Sequence, residues 1–206
     1  LQLLEDSEYD VTADVLDDFI EAYNYRLDFA SFSADGTADA TNGGMTGLFE
    51  FGTAAVAVVT HDSVGALDLD DFIKPLTTVD AVALERGAKW WLHQQMLARV
   101  GGIKDGNGRP LFQTALEAPS PGSIGSINGF PLELISVGPN VDGASKNVAA
   151  FGDPQAQVVG VRRDFMFEAS DQHKWNTLER SFRGWGRAGV KGRKASSLAI
   201  LKTAAA

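Results

Sequence analysis

Between Asp10 and Phe32 the apolar residues fall at Val11, Val15, Leu16, Phe19, Ile20, Tyr23, Leu27 and Ala30. Steps of three and four place them on one side of a helix. Asp14, Asp17, Asp18, Glu21 and Asp28 fall mostly on the other side. Ser7 and Asp10 suit the N-cap, and the early acids suit the positive end of the helix dipole. Ala34-Asp35-Gly36-Thr37 predicts the stop. At about 1.5 Å per residue the helix is a rod of roughly 30 Å, so it needs a long partner surface.

Downstream the pattern alternates between loops and short apolar runs. Ala34 to Gly47 is rich in Gly, Asp, Thr and Asn and reads as a loop. Leu48 to Thr60 has strand-like content. Leu67 to Leu84 reads as a helix, with Asp68, Asp70 and Asp71 in its first turn and Pro75 as a bend or break. Gly87 to Leu92 reads as a buried strand carrying Trp90 and Trp91, followed by a short helix from His93 to Val100. Asp105-Gly106-Asn107-Gly108 signals a tight turn. Leu132–Val137, Val148–Phe151, Gln157–Arg162, Asp164–Ala169 and Ala195–Lys202 read as strands. Trp175 to Arg187 has partial helical spacing at Leu178, Phe182 and Trp185, weakened by Gly184 and Gly186. Irregular mixing of helices and strands predicts an α+β fold.

Composition changes this picture mainly through charge. The chain has 206 residues and no cysteine, which rules out disulfides, thiolate zinc and a cysteine nucleophile. No apolar run approaches the roughly 18 residues of a membrane span. The start LQLLEDSEYD has no basic region before an apolar one and no initiator Met, which predicts a fragment or a processed product. A net charge of -9 argues against general nucleic-acid binding. Residues 1–50 carry twelve acids and one base, Arg26, whereas residues 174–194 carry seven bases and one acid, Glu179. The two ends are therefore expected either to meet, within a subunit or between subunits, or to form solvated faces. The candidate interface residues are Asp17, Asp18, Glu21, Arg180, Arg183 and Arg187.

Candidate chemistry is sparse. His61, His93 and His173 lack helical zinc spacing. Asp35, Asp39 and Asn42 do not match a calcium loop and suit turn chemistry better. Ser170, Asp171 and His173 lie together, yet triads usually draw on separate segments and no GxSxG elbow occurs. Glu168 with Asp171 is too common a pairing to count. No catalytic, cofactor or metal site is predicted.

Several segments in order resemble the major capsid proteins of tailed phages, with the Hong Kong 97 fold. Leu3-Leu4-Glu5-Asp6-Ser7 before the long helix looks like the entry to that family's spine helix. Ala34-Asp35-Gly36-Thr37 and Gly43-Gly44-Met45-Thr46-Gly47-Leu48 look like its Gly-Asp-Gly-Thr…Gly-Leu loop. Trp90-Trp91-Leu92-His93 leading to Lys104-Asp105-Gly106-Asn107-Gly108-Arg109, then Asn128-Gly129-Phe130-Pro131-Leu132, Phe151-Gly152-Asp153, Arg187 and Leu198–Lys202, follow the family's order. Ala34 and Leu132 depart from its usual Gly and Val. The family's N-terminal arm and extended hairpin precede the spine helix and are absent from this chain.

The resemblance implies a peripheral domain of residues 1–40 plus 190–206 and an axial domain of 41–189. It implies a non-enzymatic head-shell protein of a phage or prophage, without cofactor, assembling in the bacterial host cytoplasm into pentamers and hexamers of an icosahedral virion shell around DNA. The implied partners are further copies, with portal, scaffold, maturation protease and decoration proteins besides; double-stranded DNA is enclosed but not specifically bound, and no membrane is involved. An encapsulin-type compartment shell is the alternative on the same fold. A hydrolase using Ser170, Asp171 and His173, and a monomeric binding module using the loops 36–47 or 118–126, are the readings from other classes.

Overall fold

Trp90 and Trp91 are neighbours in sequence, and both are buried, on opposite sides of one sheet. The computed structural model describes residues 11–51, 57–60, 67–104, 106–110, 112–114, 124–140, 145–177 and 179–203. In it, β2 (Lys89–His93) runs parallel to β5 (Phe130–Ile135) and antiparallel to β6 (Asn147–Gly152). Successive side chains of a strand point to opposite faces. Trp90 and Leu92 therefore join Phe72, Met96, Leu132 and Phe151, while Trp91 joins Phe49, Ile135, Ala150 and Ile200. A strand buried on both faces reads as a continuous apolar run. The sheet has seven strands in the order β1-β9-β6-β2-β5-β4-β3, with β1 at Ala57–Thr60, β3 at Phe112–Thr114, β4 at Gly125–Ile127 and β9 at Leu198–Lys202.

The long helix α1 covers Val11–Phe32. Its stop is completed by Gly47, where a Cβ would lie 2.5 Å from the carbonyl carbon of Phe32, so only a glycine lets the loop pass that close. The expected helix from Leu67 to Leu84 is two helices, α2 (Leu69–Thr78) and α3 (Ala81–Glu85). α2 runs through Pro75; the break comes at Val79-Asp80, where the Asp80 N–H leaves the helix pattern and donates to the Ser196 carbonyl at 3.1 Å. A capping box starts α2: Asp68 Oδ1 accepts from the Asp71 N–H and Asp71 Oδ2 accepts from the Asp68 N–H. The short helix α4 is Leu97–Gly101.

Two expectations fail in the C-terminal third. The two strands expected from Gln157 to Ala169 are one strand, β7 (Gln157–Lys174). The helix expected around Trp175–Arg187 is strand β8 (Glu179–Gly192), entered by a single 3-10 turn at Trp175–Thr177. β7 and β8 form their own two-stranded sheet. Its antiparallel sense follows from Lys174 meeting Glu179 and Glu168 meeting Arg183.

The chain divides into two compact units. One unit holds residues 1–28 and 159–189, the other 29–158 and 190–206. The C-terminal residues belong with the sheet because β9 is hydrogen-bonded between β1 and β6, with Ile200 opposite Ala150. Residues 159–189 belong with α1, since a two-stranded ribbon has no core of its own and needs an apolar cover.

Candidate subunit interface

The helix–ribbon unit is a layer with two unlike surfaces. On one side α1 lies against the ribbon through aromatic rings: Phe19 meets Phe167 at 5.7 Å, Tyr23 meets Phe165 at 5.3 Å, and Phe167 stacks on Phe182 at 5.7 Å between centroids. Gly184 and Gly186 make the approach possible. A Cβ on Gly184 would stand 2.5 Å from Phe19 Cδ1, and one on Gly186 2.7 Å from Tyr23 Cε2. Strand alternation then sends Arg183, Trp185 and Arg187 to the side away from α1. There Arg183 donates to Glu168 at 2.5 Å. Arg162, Arg163, Trp185, Gly186 and Arg187 line a groove of about 410 Å³ on the ribbon. The Arg163 guanidinium sits 4.7 Å from the Trp185 ring centroid, a cation–π geometry.

The acidic candidates lie on the outer face of α1. Asp17, Asp18 and Glu21 are exposed. At about 100° per residue, Asp17 and Glu21 stand roughly 160–200° around the helix from Phe19, facing away from the ribbon. Asp17, Asp18 and Glu21 form no ion pair among the described residues, so the structure does not bring them onto Arg183 or Arg187. Arg180 shares the parity of Phe182, and its guanidinium lies 5.9 Å from that ring. Asp17 and Glu21 thus lie on the opposite surface of the layer from Arg183 and Arg187, while Arg180 keeps to the side of Phe182.

Other candidate residues serve local structure. Asp35 Oδ1 accepts from the Thr37 N–H and hydroxyl, and Asp39 Oδ1 accepts from the N–H groups of Thr41 and Asn42. These are Asx turns, and the bond from the Asn42 N–H holds the Asp39 carboxyl below its ordinary value. His93 Nδ1 accepts from the Gln95 N–H at 3.1 Å, which leaves the proton on Nε2, facing the Ser136 carbonyl. Ser170 Oγ accepts from the Gln172 N–H at 3.3 Å, and His173 is exposed. His61, Asp105, residues 118–123 and the side chain of Asp171 lie outside the described residues. Sequence reasoning missed Arg162, Arg163 and the groove. The signal was present in Phe182-Arg183-Gly184-Trp185-Gly186-Arg187, where small or apolar residues alternate with large polar or aromatic ones at period two.

A model of the phage capsid family matches residues 1–203. No curated protein matches the chain. Among solved structures, the capsid of an empty GTA particle is similar at 20% identity and TM-score 0.79, covering 99% of this chain and 70% of that one. The Gordonia phage Cozz structure is similar at 15% identity and TM-score 0.64, covering 100% and 67%. The holo-SrpI encapsulin complex of Synechococcus elongatus PCC 7942 is similar at 16% identity and TM-score 0.66, covering 95% and 66%. At these identities the likenesses show a shared fold.

Proposed function

The chain belongs to the phage capsid family and is a structural, non-enzymatic shell protein, and on that premise we propose that its copies close into pentamers and hexamers of an icosahedral head shell around double-stranded DNA. The family match over residues 1–203 carries this reading. The two-surfaced helix–ribbon unit supports it physically. Unlike charged surfaces on one subunit favour heterologous contacts, which close into rings when the rotation permits. In this reading the acids Asp17, Asp18 and Glu21 and the arginines Arg180, Arg183 and Arg187 are contact residues of the shell. Asp17 and Glu21 on one side, and Arg183 and Arg187 on the other, are met from outside the subunit rather than by each other.

The helix–ribbon unit is then the peripheral part of the capsomer and the seven-stranded unit its axial part. Portal, scaffold, maturation protease and decoration proteins are the further partners such a shell implies, assembled in the host cytoplasm. An encapsulin-type compartment is the second reading, favoured by the shared fold with the SrpI complex. Electron microscopy of the purified full-length gene product tests both. Closed particles or rings of five and six are expected, with nucleic acid inside for a head shell and protein cargo for a compartment. A uniform field of monomers under packaging-like conditions would overturn the assembly reading.

A further inference from the structure

The groove on the ribbon is lined by donors without acceptors. Arg162, Arg163 and Arg187 line it, and among the described residues no carboxylate pairs with any of the three. The Arg163 guanidinium lies over the Trp185 ring, 4.7 Å from its centroid. Guanidinium groups bind carboxylates through paired N–H donors. The missing complement is therefore anionic and rich in acceptor oxygens.

The chain itself is a rich source of carboxylates. Those at Asp68 and Asp71 are engaged in the capping box of α2. Those of α1 are spread along a rod about 10–12 Å across with its side chains, too broad to enter such a groove. Glu5, Asp6, Glu8 and Asp10 put four carboxylates in six residues with no base among them. From this complementarity we infer that the groove of Arg162, Arg163, Trp185 and Arg187 is a docking site for the acidic segment Glu5–Asp10 of a second copy. The carboxylates meet the guanidinium groups. The inference rests on the reading that copies associate, and adds which segment meets which surface.

The test uses a fluorescein-labelled peptide of residues Leu1–Val11. The host is the full chain carrying E5Q/D6N/E8Q/D10N, so that its own segment does not compete. Saturable binding by anisotropy is expected, weakened about tenfold or more by R162Q/R187Q, with circular dichroism showing an unchanged fold. R187Q alone serves if the double variant loses its fold. No saturable binding, binding indifferent to these substitutions, or equal binding of a peptide with its four acids neutralised would each overturn the site. Sedimentation of the otherwise unsubstituted chain, with and without R162Q/R187Q, assigns the source. Weakened association supports a second copy, and unchanged association overturns the inter-copy claim. Particles formed without peptide binding would sink the docking site while leaving the shell reading intact.

Discussion

Asp80 and Ser196 are hydrogen-bonded in both directions across 116 residues of chain: the Ser196 hydroxyl donates to Asp80 Oδ2 at 2.6 Å, and the Asp80 N–H donates to the Ser196 carbonyl at 3.1 Å. Lys194 adds its ammonium at 3.2 Å from the same carboxylate oxygen. This clasp ties the junction of α2 and α3 to the turn that starts β9. The Ser196 hydroxyl, and then Lys194, hold the Asp80 carboxyl below its ordinary value of 3.8.

A depressed folded-state pKa stabilises the fold above the unfolded value, and the contribution is lost as pH falls through the folded value. D80N is therefore expected to lower the denaturation midpoint at pH 7, and the gap to the unsubstituted chain should close as pH drops below 3.8. Urea titrations across that range check it. A gap that stays constant would remove the carboxylate from the account.

G184A and G186A should each destabilise the helix–ribbon unit by about 1–3 kcal/mol, because the added methyl overlaps Phe19 or Tyr23. G189A is the control on the same strand. Nothing lies within 4 Å of a Cβ there, so it should fall within about 0.5 kcal/mol of the parent. Equilibrium unfolding of the three variants separates contact from strand propensity.

Trp90 is fully buried between Phe72 and Phe151, at centroid distances of 5.3 and 4.6 Å. W90A should cost about 3–5 kcal/mol, since the close-packed sheet cannot collapse into the space. W90F should cost less than half of that, because it also removes an indole N–H that is buried without a partner. Chemical denaturation of both variants is the measurement.

D68A removes the N-cap of α2 and should cost about 1 kcal/mol, with early loss of protection in the first turn of the helix. Hydrogen exchange at residues 69–72 reads it locally. D68N should recover most of the effect, since an amide oxygen still accepts from the Asp71 N–H.

Much of the fold was legible in the chain. The helix α1 followed from its apolar stripe, β2 from its two tryptophans, and the α+β class from irregular mixing. The ribbon was not legible as a ribbon. Leu178, Phe182 and Trp185 mimic helical spacing, while the competing period of two in Phe182–Arg187 is short and interrupted by glycines. In isolation those glycines weaken either element. They favour the strand only once α1 is laid against it, because Phe19 and Tyr23 occupy the space their side chains would fill.

The surplus of acid at one end and base at the other was likewise a property of the sequence. Their placement was not. Alternation along β8 turns Arg183 and Arg187 away from α1, while the helix turns Asp17 and Glu21 away from the ribbon. The sequence by itself determined the family, the long amphipathic helix and the charge asymmetry, since each rests on local residue identity and spacing. Only the tertiary structure decided that β9 lies between β1 and β6 in the seven-stranded sheet, that residues 159–189 form a ribbon under α1, and that Asp17 and Glu21 face away from Arg183 and Arg187. Those outcomes depend on which distant apolar faces cover one another, and no local pattern encodes that.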